Sequence, residues 1–118
     1  MQESNILSKI QSLVLEPQIE YLGIISENGR LEDSMGRIDL NLSREKKEMF
    51  FMQRRLGLSM ENDFDNELGV VNYVVTERKD SKFVAIPAFS HIVLVIMNKG
   101  IDHIPVVKKI KTILTVRK

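Results

Sequence analysis

The chain has 118 residues, of which 43% are apolar and 28% are charged, as expected for one globular domain over residues 1–118. Its 17 basic and 16 acidic residues leave a net charge of +1, which excludes a domain-wide basic field for nucleic acid. Cysteine is absent, which excludes disulfides and thiolate chemistry. There is no signal-peptide pattern and no apolar run long enough for a membrane span, so we expect a cytoplasmic protein.

The first part of the chain predicts a helix followed by a hairpin. A helix over residues 3–16 would carry one apolar face, made of Ile6, Leu7, Ile10, Leu13 and Val14. Ile19 to Ser26 is apolar on both sides, as in an internal strand. Asn28-Gly29 then predicts a tight type I′ turn with two positive-φ residues. Arg30 to Asp33 would return as a short polar strand at a sheet edge.

A long helix is predicted in the middle of the chain. Ser34 to Leu42 has no period and is expected to be a loop, and Ser43 is a suitable N-cap. The helix runs through Arg55 and extends toward Asn66. Gly57 costs about 1 kcal/mol relative to alanine within a helix, so we expect a kink or break there.

The second half predicts three strands and a final helix. Phe64 and Leu68 are expected to pack the end of the long helix. The strands are predicted at Val70–Thr76, Lys82–Ala88 and His91–Met97, the last being apolar on both faces like a central strand. Asp102 can cap the last helix, which has one apolar stripe. The order is therefore α-β-β-α-β-β-β-α, an α+β class.

No motif indicates catalysis or a cofactor. His91 and His103 lack a partner at metal-ligand spacing and are expected to be structural or solvated. The acidic run from Glu61 to Glu67 has neither the glycine nor the final glutamate of a calcium loop, so a solvated helix end is expected. Neither a phosphate-binding glycine loop nor a Gly-x-Ser-x-Gly elbow is present. We therefore predict a protein that is not an enzyme and has no metal or cofactor.

The C-terminal part is basic. Its cations are Lys99, Lys108, Lys109, Lys111, Arg117 and Lys118. They are expected to form a solvated face that complements the helix dipole. A nucleic-acid or anionic-lipid patch is the alternative, but no aromatic residue lies there to stack on bases.

The long helix has more apolar surface than one stripe against one sheet requires. Its large apolar side chains are Met49, Phe50, Phe51, Met52, Leu56, Leu58 and Met60. A thoroughly buried core helix is one interpretation. The other is a helix with its sheet on one side and a second protein on the other, since methionine-rich surfaces adapt to partners and exposed apolar patches mark interfaces. We favour the interface.

The element order resembles the roadblock/dynein light chain group, which is close to the longin and profilin-like folds. The strings IEYLGIISENGRL, FDNELGVVNYVVTER and HIVLVIM also resemble small uncharacterised archaeal proteins of this layout. The resemblance implies a five-stranded antiparallel sheet sandwiched by helices. It also implies a homodimer formed through the central helix (residues 43–66) and the following strand, and a role as a scaffold or a regulator of small GTPases.

The predicted function is thus a non-enzymatic interaction module that forms a homodimer and docks a protein partner. The candidate interface residues are Met49, Phe50, Phe51, Met52, Leu56, Val71, Tyr73 and Val75, although strand pairing could expose the alternate strand face instead. The alternative is a sensory domain of the PAS type, with an apolar ligand between the sheet and the long helix. That class usually starts with its strands, whereas this chain starts with a helix.

Overall fold

The computed structural model describes residues 6–116, and of Val14, Leu15 and Val116 it describes the backbone alone. The helices are α1 (Ile6–Ile10), α2 (Arg44–Glu61), α3 (Asp65–Leu68) and α4 (Ile104–Val116), with 3-10 turns at Gln11–Leu15 and Asn62–Phe64. The strands are β1 (Ile19–Ile25), β2 (Leu31–Gly36), β3 (Val74–Glu77), β4 (Ser81–Ala88) and β5 (His91–Asn98). Within residues 6–116, no helix combines the length and the apolar character that crossing a membrane requires.

The five strands form one sheet in the order β2-β1-β5-β4-β3, and every neighbouring pair is antiparallel. Helices α1 and α4 cover one face, and α2 covers the other. The predicted α+β architecture, a five-stranded antiparallel sheet between helices, is therefore confirmed. Of the predicted first helix, residues 3–5 lie outside the described part, and its second half is a 3-10 turn.

Strand β5 forms the centre of the core. Each residue from Ile92 to Met97 is at most 1% exposed. Val93, Val95 and Met97 contribute to the core beneath α1 and α4, while alternate residues contribute to the core beneath α2. Burial on both faces explains why the segment has no polar alternation.

Helix α2 begins and ends where local interactions dictate. The Ser43 side chain accepts a hydrogen bond from the Lys46 backbone N–H (3.2 Å), which satisfies one free donor of the first turn. The helix then continues through Gly57 to Glu61, so the predicted break at Gly57 is wrong. One glycine costs the helix about 1 kcal/mol, which the hydrogen bonds and packing of an 18-residue helix offset. The change of geometry comes at the 3-10 turn after Glu61.

The β1–β2 hairpin differs from the predicted type I′ turn. Gly29 has φ +83°, but Asn28 does not have positive φ, because Phe89 is the sole non-glycine residue with positive φ among residues 6–116. The Gly29 N–H donates to the Ser26 carbonyl (2.9 Å) and the Ser26 N–H donates to the Arg30 carbonyl (2.8 Å). The Ser26 hydroxyl also accepts from the Asn28 N–H (3.2 Å). A three-residue loop closed by a positive-φ glycine therefore replaces the tight turn.

Strand β2 lies at a sheet edge, as predicted, but it extends to Gly36 and includes residues that were expected to be a loop. Its pairing with β1 skips Glu32, because Asp33 lies opposite Ile24 and Leu31 lies opposite Ile25. This is a β-bulge with two acidic residues beside it on an exposed strand.

Strand β3 begins four residues later than the predicted Val70, at Val74. Val74 lies opposite Ala85, and continuing that register would place Asn72 opposite Pro87. Proline has no N–H to donate to a ladder, so the strand pairing ends before that point. Val71 and Tyr73 therefore precede the strand rather than belonging to it.

Few side chains of helix α2 are fully buried against the sheet. Substituting one of them therefore tests how much its packing contributes to stability. Phe51 is 4% exposed and packs with the core on this face. We expect Phe51→Ala to lower the free energy of unfolding by about 3–5 kcal/mol, because it removes a buried aromatic ring and leaves a cavity. Urea denaturation at one fixed protein concentration measures the change. Lys46→Ala, at an exposed site on the same helix, should stay within about 0.5 kcal/mol. A loss below about 1 kcal/mol for Phe51→Ala would contradict the packing described.

Candidate protein interface

Exposed apolar side chains are concentrated in one segment of the chain. Among residues 6–116, eight of the fourteen large exposed hydrophobic residues lie between positions 49 and 74. We call them the exposed strip: Met49, Met52, Leu56, Met60, Phe64, Leu68, Val70 and Val74. Patches of this kind on a protein surface mark interaction sites.

The part of the strip on α2 faces away from the sheet. Met49, Met52, Leu56 and Met60 follow one another at spacings of three, four and four residues, which places them within about 80° of one another around the helix. Phe51 and Leu58 lie on the opposite side and are 4% and 7% exposed. Helix α2 is therefore apolar on two sides, and residues 6–116 cover only one of them.

The predicted interface residues divide into three groups. Met49, Met52 and Leu56 are exposed and belong to the strip. Phe50 and Val71 are half-buried against the core beneath α2, and Tyr73 and Val75 are half-buried against the core beneath α1 and α4. Phe51 is buried in the core, so it supports α2 from below and is not available for contact in this conformation.

Sequence reasoning missed the second half of the strip. Phe64 and Leu68 were expected to be packing residues, yet they are 54% and 81% exposed. The signal was their continuation of the four-residue spacing from Leu56 through Met60. It was missed because the same spacing is equally compatible with a buried helix end.

The face of β3 that lies on the same side of the sheet as α2 is not the one that carries Val75. Val74 pairs with Ala85 and Thr76 pairs with Phe83, and these four residues line a cleft beside α2. Val75 instead packs with the core beneath α4. The side of this edge strand that faces the cleft beside α2 therefore carries Val74 and Thr76.

The cleft between α2 and the β3–β4 edge has a volume of about 220 Å³. On the helix side it is lined by Gln53, Arg54, Gly57, Leu58 and Glu61. The Arg54 guanidinium lies 4.3 Å from the centre of the Phe50 ring. Phe50 in turn meets Phe83 edge to face, with ring centres 5.6 Å apart.

The Arg54 guanidinium has an unpaired hydrogen-bond donor. Its Nη1 is buried and has no hydrogen-bond partner. Burial, and then the nearby positive charge of Arg78, lower the pKa of the Arg54 guanidinium. A buried donor without an acceptor is unfavourable, so this corner of the cleft would be stabilised by an added carboxylate.

Charge is unevenly distributed along the helical segment. Residues 44–55 contain five basic and two acidic side chains, whereas residues 61–67 contain four acidic and no basic ones. The acidic run lies at the end of α2, in the 3-10 turn and in α3, and most of it is exposed. The predicted solvated helix end is confirmed, and no group of three or more His, Asp or Glu side chains in residues 6–116 is placed to hold a metal ion.

A second cleft, of about 540 Å³, lies on the other side of α2, against the β1–β2 hairpin. Its apolar residues are Leu31, Leu42, Phe51 and Met52, and its charged residues are Arg30, Arg44, Lys47 and Glu48. Lys47 pairs with Asp39 (3.0 Å) and Arg44 pairs with Glu48 (3.7 Å). Arg30 has no such partner within the described chain.

Both histidines take part in structural contacts, as predicted. The ring Nε2 of His91 donates to the Glu32 carboxylate (3.0 Å), and its Nδ1 lies 3.3 Å from the Ser90 hydroxyl. This chain of contacts ties the edge strand β2 to β5 across β1. The buried Lys82 ammonium donates to Nδ1 of His103 (3.0 Å), which ties β4 to the segment before α4. Of the C-terminal cations, Lys109 pairs with Glu16 (2.6 Å), and Arg117 and Lys118 lie outside the described residues.

No family model and no curated protein sequence matches this chain. Solved structures do match. The Roadblock/LC7 domain from Streptomyces avermitilis is 13% identical, with a TM-score of 0.69, over 92% of this chain and 90% of that one. MglB from Myxococcus xanthus is also 13% identical, with a TM-score of 0.72, over 96% of this chain and 84% of that one. An MglB with a tetrameric arrangement is 8% identical, with a TM-score of 0.67, over 95% of this chain and 83% of that one.

Identities this low establish the fold alone. The chain therefore has the roadblock/LC7 fold, in agreement with the resemblance noted in the sequence. The PAS-type layout was the rival prediction, and the matching structures do not favour it.

Proposed function

We propose that this protein is a cytoplasmic interaction module, not an enzyme, that forms a homodimer through α2 and β3 and serves as a scaffold or regulator for another protein. The observation that carries the proposal is the exposed strip. It covers the free side of α2, continues through α3 and reaches the edge strand β3. The segment from α2 to β3 thus combines exposed apolar side chains with unpaired strand backbone.

The edge strand can pair with the same strand of a second copy. Strand β3 is the last strand of the sheet and has one hydrogen-bonded neighbour, β4. A second copy can add its own β3 antiparallel to the first, which would join two five-stranded sheets. The two α2 helices would then lie side by side on the same face of the joined sheet. Symmetric pairing of this kind is the commonest arrangement of homo-oligomers.

Two further points support the proposal. Matched structures include one described as having a tetrameric arrangement, so this fold is compatible with self-association. The resemblance found in the sequence implies a small GTPase as the protein partner, and we propose that class for the docked partner.

The test is the oligomeric state of strip variants. We expect a dimer in sedimentation equilibrium at about 100 µM, where a micromolar dissociation constant gives nearly complete association. Leu56→Asp should weaken the dimer at least 10-fold, about 1.4 kcal/mol, because it buries a carboxylate in an apolar contact. Ile38→Asp, at another exposed apolar residue outside the strip, should leave the dissociation constant unchanged. A wild-type chain that stays monomeric at this concentration refutes the proposal.

A second candidate function rests on the cleft beside the hairpin. Its volume of about 540 Å³ lies within the range of about 300–1,000 Å³ typical of small-molecule sites. Apolar walls beneath Arg30, Arg44 and Lys47 suit a molecule with a hydrocarbon body and a carboxylate head. This candidate site differs from the one expected from the sequence, because the cleft lies at the side of α2 and not between the sheet and the helix.

A thermal-shift series tests this candidate. We expect a medium-chain fatty acid at 100 times its dissociation constant to stabilise the protein by about 2.7 kcal/mol. The alkylamine of the same chain length should not stabilise it, because its charge matches that of the cleft. Arg30→Ala should remove the effect of the fatty acid, while Lys108→Ala, at an exposed residue of α4, should retain it. Equal shifts with acid and amine would exclude the carboxylate site.

A further inference from the structure

Within residues 6–116, neither packing nor backbone conformation requires a glycine at position 57. It lies within α2, and a methyl group placed on it would meet no atom within 4 Å. Its φ is not positive, so its backbone does not require glycine. The residue is exposed and weakens the helix for no benefit that the chain itself shows. Glycine at such a position suits the close approach of another backbone.

The position of Gly57 on the helix indicates where that backbone comes from. Gly57 lines the cleft between α2 and β3, together with Arg54 and Glu61. This is the flank of α2 that faces the open edge of the sheet. If two β3 strands pair about a twofold axis, the second α2 approaches this flank and runs antiparallel to the first.

We propose that the two α2 helices of a homodimer cross at Gly57, and that Arg54 of each copy pairs with Glu61 of the other. This inference rests on the homodimer proposed above and specifies its contact. In an antiparallel crossing at Gly57, a residue three positions before Gly57 in one copy lies opposite the residues three to four positions after Gly57 in the other copy. Arg54 and Glu61 satisfy that relation, and the twofold axis makes the pair occur twice.

The charges on this flank support the pairing. Nη1 of Arg54 is buried without a hydrogen-bond acceptor, and the positive charge of Arg78 is close by. Glu61 is exposed and makes no ion pair within residues 6–116. The antiparallel arrangement also sets the basic half of each helix, residues 44–55, against the acidic residues 61–67 of the other copy. A parallel arrangement would set like charges together.

The first test separates the stability of one chain from dimerisation. In the Leu56→Asp background, at a concentration low enough for that variant to be monomeric, we expect Gly57→Ala to raise the melting temperature by about 4 °C, because alanine favours the helix and its methyl group meets no atom within 4 Å. In the otherwise wild-type chain, the same change should weaken the dimer at least 10-fold, because the methyl group holds the helices apart. Ser59→Ala is the control, since Ser59 is exposed on the same helix but does not line the cleft. It should leave the dissociation constant unchanged.

The second test exchanges the charges. Arg54→Glu and Glu61→Arg should each weaken the dimer at least 10-fold by setting like charges together. The double variant should recover most of the lost affinity, because it restores opposite charges with reversed polarity. Lys108→Glu changes an exposed cation of α4, on the opposite face of the sheet, and should have little effect. A double variant no better than the worse single one would exclude the Arg54–Glu61 contact.

The outcomes distinguish this inference from the proposal on which it rests. A wild-type monomer at about 100 µM defeats both. A wild-type dimer that Leu56→Asp disrupts, but whose dissociation constant Gly57→Ala does not change, leaves the homodimer standing and overturns the crossing at Gly57.

Discussion

The burial of β5 on both faces is the constraint on which the remaining structure depends. A strand with six consecutive side chains at most 1% exposed requires an apolar layer above and below it. Helices α1 and α4 share one of those layers, but α2 supplies the helical cover of the other, together with the loop residues around it. A single helix that covers a five-stranded sheet has its outer side exposed to solvent unless another protein covers it. The apolar character of that outer side is therefore the main feature of the fold that the single chain leaves unexplained.

The charges complete this picture. An apolar helix face alone would bind many partners without a defined orientation, because the hydrophobic effect is not directional. The basic first half and acidic end of the helical segment add a direction along the helix axis. Such complementarity contributes to specificity and to association rate more than to affinity. In the proposed interface, apolar contact would thus hold the partner and charge would select it and set its orientation.

Much of the fold could be predicted from the sequence, because local patterns determine it. The unbroken apolar run of β5, the cap at Ser43 and the order of elements all rest on neighbouring residues. The start of β3 could not be predicted, since it depends on Pro87 in a strand that pairs with it later in the chain. For the same reason the sequence did not distinguish Phe51 from Met49 as interface candidates, although Phe51 is buried and Met49 is exposed. Which side of an apolar helix meets the sheet is a property of the assembled layers.

The two edges of the sheet are not equivalent, and the difference bears on how far association can proceed. The outer edge at β2 is interrupted by the bulge at Glu32 and carries a second carboxylate at Asp33, both of which discourage strand addition. The edge at β3 pairs with β4 in an unbroken register and begins with two valines, Val74 and Val75. A sheet with two receptive edges could add copies indefinitely and grow into a fibre. With one receptive edge, strand addition of the proposed kind would consume that edge and stop at two chains.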